Sequence, residues 1–184
     1  APSTDVAAGR IGAKDKAQLR LDAAVVWREV ARRSGDAVAL RKAAATAEAA
    51  ASAFAPDRRP AGWARARCEQ GVCALLGAEL FGDAGLNAAA QATFREARAA
   101  ARGGVAAPLA DIGLALVDAR AEMGVGDAQA AHAVAARFSV PIAALEAQAR
   151  RHASARPLAA YARLIRADVL CVWGARLKDE ALLA

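Results

Sequence analysis

Large side chains are scarce in this 184-residue chain: aromatic residues make up 4% of it, as four Phe, three Trp and one Tyr, and there is one Met. Runs of β-branched residues are nearly absent as well, so the material for a broad sandwich or barrel core is missing. No stretch of about 18 apolar residues is free of charge, which excludes a membrane-spanning helix. Cysteines number three. Cys68 and Cys73 fall in one predicted helix, about 8–9 Å apart and beyond bridging distance. Cys171 could meet either only through tertiary contact, and all three read as small buried hydrophobes of a reducing compartment, which suggests a cytoplasmic protein, with a processed periplasmic form as the alternative. His132 and His152 have no Cys or acidic partner at ligand spacing, so neither a metal site nor a cofactor is expected. A phosphate-binding loop, a nucleophile elbow and an HExxH helix are all missing. Asp111 and Asp118, seven apart, read as the solvated face of a helix rather than an acid pair. The expectation is a protein that is not an enzyme.

What the chain has in excess is alanine, at 58 positions, so its 57% hydrophobic content is mostly methyl groups. Ala with Leu, Arg and Glu favours helix, because none of them loses much rotamer freedom there. The 25 basic residues exceed the 19 acidic ones, for a net charge of +6, and 21 of the 25 are Arg. They are interspersed with acids, and the densest runs are pairs: Arg32-Arg33, Arg58-Arg59 and Arg150-Arg151. A nucleic-acid binder would show a basic stripe with aromatics for stacking. The surplus therefore reads as a solvated surface.

Residues 1–12 are small and polar and read as a flexible tail. The hydrophobic period then predicts seven helices. The first, Asp15 to Arg33, carries Leu19, Ala23, Val26 and Val30 on one face. The second runs from Ala37 to Phe54, the third from Gly62 to Leu80 and the fourth from Leu86 to Arg102. A fifth has the clearest stripe, Leu109, Ile112, Leu116, Ala119 and Met123. The sixth begins near Ala128 and should kink or break at Pro141, which removes a backbone donor and crowds the preceding turn. The seventh spans Leu158 to Trp173.

Gly-Asp pairs recur at 35–36, 82–83 and 126–127. Gly82 precedes Phe94 by the same interval that separates Gly126 from Phe138, and Pro60 leads Gly77 as Pro157 leads Gly174. Two helices per period of this size mark a helical solenoid, in which each hairpin completes its core on its neighbour. The units fall at about 13–56, 60–104, 106–154 and 157–184. Within the second, Trp63-Ala64 opens the first helix and Gly71 permits close approach. The Gly82-Asp83 turn follows, then Ala90, Phe94 and Ala97 in small–aromatic–small order. This unit resembles the tetratricopeptide repeat family, in a long-period bacterial form. The resemblance implies an all-α, right-handed α-α superhelix of three to four hairpins.

The same resemblance implies a protein–protein interaction scaffold that holds a partner peptide or helix in a concave groove. Polar residues of the first helix in the second, third and fourth units are the candidate contacts: Arg65 and Glu69, Asp111 and Asp118, Arg163 and Arg166. The family's carboxylate clamp has no counterpart, because Asn87 is the one Asn present. Two alternatives compete: an Ala-rich protein coating a lipid or granule surface, and a basic module associated with nucleic acid. Trp63, the largest anchor of its unit, is expected to be buried between helices. Leu182 and Leu183 begin an apolar face with no helix to complete it. That end is expected to continue in a longer array or to pack against another chain.

Overall fold

The computed structural model describes residues 12–123 and 126–178. Residues 1–11 of the expected tail and the segment 179–184 lie outside them. Among the described residues there are seven α-helices and no strand: α1 (Ala13–Ser34), α2 (Ala37–Phe54), α3 (Pro60–Phe81), α4 (Ala84–Ala100), α5 (Ala106–Glu122), α6 (Ala128–Arg151) and α7 (Arg156–Leu177). A single 3-10 turn, Ala153–Ala155, joins the last two. Among the described residues no helix is long and apolar enough to cross a membrane.

The recurring Gly-Asp pair turns out to be a two-part helix punctuation. Gly35 and Gly82 take the left-handed conformation, each at φ 68°, and end α1 and α3. That conformation costs glycine nothing because it has no Cβ. The aspartate that follows caps the next helix: Asp36 accepts from the Val38 N–H, Asp83 from Gly85 and Asp127 from Ala130. Gly126 serves differently. A methyl group there would lie 2.6 Å from the Trp173 ring, so the residue is kept bare for packing.

Each helix packs on the next in order, and each odd helix also touches the next odd one: α1 on α3, α3 on α5, α5 on α7. Even helices make no comparable contact with one another among the described residues. The odd helices thus form a continuous row, with α2, α4 and α6 set against it.

Few large side chains are needed because those present insert into notches cut by glycine. Phe94 of α4, fully buried, lies against Gly71 of α3 and Gly113 of α5. A methyl at Gly71 would sit 2.7 Å from the ring, and one at Gly113 closer still. Phe54 fills the notch at Gly62, and Leu86 that at Gly77. The core around them is largely alanine, with Ala17, Ala24, Ala43, Ala47, Ala50, Ala64 and Ala66 fully buried. Phe138, in the matching place on α6, is also fully buried, among Val134, Ile142, Leu145 and Trp173.

Three expectations change. Pro141 does not break α6, which runs continuously from Ala128 to Arg151 with Pro141 buried inside it. The helix gives up one backbone bond there and keeps its packing on the core around Phe138, which holds the two halves together. Trp63 is only half-buried, wedged beside two clusters with Arg67 over its ring at 5.6 Å, and Trp173 is the tryptophan that is fully enclosed. The expected face of α1 points to solvent: Leu19, Val26 and Val30 are 54%, 61% and 41% exposed. The helix packs instead through Ala17, Leu21, Ala24, Arg28 and Ala31, a stripe with the same period whose small residues let α2 and α3 come close.

Candidate functional site

Arginine is the main polar building material, and most of its ion pairs among the described residues join one helix to another. Arg67 of α3 pairs with Glu96 of α4, and Arg98 of α4 with Asp111 of α5 at 2.8 Å. Arg137 of α6 reaches Asp118 at 2.9 Å and Glu122 at 3.1 Å on α5, and Arg163 of α7 reaches Glu146 of α6 at 2.6 Å. Arg120 of α5 crosses to α3, where it donates to the Leu75 carbonyl oxygen and to Glu79. Arg176 of α7 stacks over Trp173 and donates to the Gly126 carbonyl oxygen. Exposed pairs of this kind contribute little each, about 0–1 kcal/mol, but they register one helix on the next.

One pair is different. Arg28 of α1 and Glu69 of α3 meet at 2.5 Å with side chains only 8% and 3% exposed. The guanidinium also lies over the ring of Tyr161 on α7, 5.6 Å from its centroid. First and last helices of the odd row therefore meet across this group. Burial works against the Arg28 charge, but the Glu69 carboxylate, with smaller help from Tyr161 and Cys73, outweighs it and moves the pKa up. Nearby, burial pushes the thiols of Cys68 and Cys73 up to about 12. Cys68 donates to the Ala106 carbonyl oxygen at 3.6 Å. Cys171 is exposed, contrary to the reading of all three cysteines as buried. We expect a thiol-specific reagent at pH 8 to modify one cysteine quickly in the folded protein and the other two only after unfolding. Rapid modification of two or three thiols would show that α3 is not packed as described.

The six residues singled out from the sequence are distributed along the odd row and are not brought together. Glu69 is buried under Arg28, and Asp111, Asp118 and Arg163 are each tied to a neighbouring helix. Arg65 is half-buried, Arg166 is exposed, and neither makes an ion pair among the described residues. Arg163 lines a cavity. This cleft, about 510 Å³, opens between the end of α6 and the start of α7, bounded by Glu146, Ala149, Arg150, Arg156, Ala159, Ala160 and Arg163. Alanines form its floor, and three guanidinium groups face a single carboxylate. That carboxylate, Glu146, is already held by Arg163, which leaves Arg150 and Arg156 without an ion pair among the described residues. The first N–H groups of α7 receive no side-chain cap and add positive potential at the same edge.

The sequence had marked Arg150 only as half of a short basic run, and Arg156 not at all. The usable signal was the spacing Arg150, Arg156, Arg163 across a turn that folds two helices together. Among the described residues no group of three His, Cys, Asp or Glu side chains is placed to hold a metal ion. Comparisons with protein-family models, with curated proteins and with solved structures find no match to this chain.

Proposed function

We propose that this chain is a non-enzymatic protein-interaction scaffold, a tetratricopeptide-like array of helical hairpins, that takes an acidic segment of a partner protein in the cleft between α6 and α7. The observation that carries this reading is the pair of uncommitted guanidiniums, Arg150 and Arg156, over an alanine floor. Arginine there is suited to carboxylates, which it can bind in bidentate fashion. The odd-helix row supports the array itself. Odd helices touch in series while even ones do not, and Arg28 meets Tyr161 across the row, as in a right-handed superhelix whose odd helices line the inside. In that array the middle of the inner face is occupied by Arg28, Glu69 and Tyr161, which shifts the partner site from the groove centre to the edge at α7.

A labelled octaglutamate peptide, followed by fluorescence anisotropy, tests the proposal. The double substitution Arg150→Glu/Arg156→Glu should weaken binding on the order of tenfold or more, as reversal of charges facing a charged partner does. Arg95→Glu, an exposed charge on α4, should leave it unchanged. Equal losses from both variants would overturn the assignment. Tighter binding of a random DNA duplex, with the steep salt dependence of phosphate contacts, would favour the nucleic-acid alternative instead.

A further inference from the structure

The outward face of α1 combines features that point to a particular occupant. Leu19, Ala23, Val26 and Val30 follow a four–three–four spacing, the knobs-into-holes period of a two-helix seam. They lie on the side of the helix opposite its buried stripe of Ala17, Leu21, Ala24, Arg28 and Ala31, with Leu19, Val26 and Val30 exposed and Ala23 half-buried between them. Exposed apolar residues scattered singly are ordinary, but four aligned over three turns form a patch.

We propose that this face is a self-association surface, on which α1 of a second copy packs antiparallel about a two-fold axis near residues 24–25. In that register Leu19 lies over Val30 of the other copy, and Ala23 lies over Val26, so each layer matches a large side chain to a smaller one. The flanks are also self-complementary. On one side Arg20 comes opposite Trp27, whose ring already carries the Lys42 ammonium 4.6 Å from its centroid and is 37% exposed. A cation over each face of an indole is a favourable arrangement. On the other side Asp22 comes opposite Glu29, and these would repel if both were bare. Glu29, however, is held by two guanidiniums, Arg32 at 2.6 Å and Arg33 at 2.8 Å. Hydrogen bonds from these two arginines hold its pKa down to about 2, so the cluster stays a carboxylate between two cations. Asp22 thus meets net positive charge. A parallel pair would set Ala23 against Ala23 and Asp22 against the Trp27 flank, losing both the size match and the Asp22 contact. An isologous surface of this kind closes on itself and yields a dimer rather than a fibre.

Sedimentation equilibrium of the full chain reads the outcome directly. We expect the mass to rise from monomer at about 1 μM toward dimer at about 300 μM, an affinity in the range of small interfaces. Leu19→Glu/Val26→Glu should hold the protein monomeric throughout. Both side chains are more than half exposed, so the helical circular dichroism should be unchanged. Leu164→Glu on the outer face of α7, 64% exposed, should leave the dimer intact. Orientation is read in a Cys171→Ser background. Mixed Ala23→Cys and Val26→Cys proteins should oxidise preferentially to the mixed disulfide, because those positions face each other in the antiparallel register. Monomers at every concentration would overturn the proposal. So would dimers that survive Leu19→Glu/Val26→Glu, or a preference for disulfides between identical positions. Monomers that instead co-sediment with phosphatidylcholine vesicles, and lose that property on Leu19→Glu/Val26→Glu, would assign the stripe to a lipid surface and would equally overturn it.

Discussion

Phe94→Ala should destabilise the protein by about 3–5 kcal/mol, the cost of emptying a site filled by a fully buried phenyl ring. For a chain of this length that lowers the melting temperature by roughly 10 °C or more. The expectation is at the upper end because the ring joins three helices: it rises from α4 and lies in notches at Gly71 of α3 and Gly113 of α5. Its loss leaves a hole that glycine, having no side chain, cannot help to close. Phe81→Ala is the control, since Phe81 is 51% exposed and should cost no more than about 0.5 kcal/mol. Gly113→Ala alone should cost about 1–3 kcal/mol by overpacking the same site. Combined with Phe94→Leu, the two costs should not add, because the shorter side chain makes room for the methyl group. Thermal and urea unfolding of these four variants and of Phe94→Leu alone decide the matter. Equal melting of Phe94→Ala and Phe81→Ala would mean that the notches are not occupied as described.

Glu69→Ala should be comparably damaging, by about 3–5 kcal/mol, for a different reason: it strands the Arg28 guanidinium in a site that excludes water. A charge left without its partner is far costlier than the absence of both. Replacing the pair together, Arg28→Met/Glu69→Leu, should therefore recover most of the lost stability, even though it removes more interactions. If the pair were only a solvent-screened contact, both variants would lie within about 1 kcal/mol of the parent, which urea denaturation would show at once. The double variant also separates fold from shape. It keeps the helices but removes the contact between Arg28 and Tyr161 that joins α1 to α7, so small-angle scattering should report a larger radius if that contact holds the row closed.

Much of the architecture could be read along the chain because it depends on local chemistry. Gly35-Asp36 and Gly82-Asp83 stop one helix and cap the next through their own backbone and side chains, whatever lies around them. Pro60 at the first turn of α3 and the stripe through Ile112 and Ala119 are equally local signals. Gly71 and Phe94 were each marked by the repeat pattern, one for close approach and one as an aromatic anchor, but only the fold set the ring against the glycine. The candidate contacts were less legible. Asp111, Asp118 and Arg163 looked like solvated charges, and their ties to Arg98, Arg137 and Glu146 depend on which helix lies alongside.

Local chemistry thus determined that the chain is helical, where its helices turn, and that small residues alternate with a few large anchors. Only the tertiary structure decided which way those helices face. On α1 two stripes share one period, Leu19, Ala23, Val26 and Val30 against Ala17, Leu21, Ala24, Arg28 and Ala31. Hydrophobicity alone selects the first. The fold buries the second, because alanine allows neighbouring helices to approach where leucine and valine would hold them apart, and because Arg28 finds Glu69 there. The same reason explains Pro141 and Trp173: in a core built mostly of methyl groups, close fit between elements outweighs the propensity of any one residue.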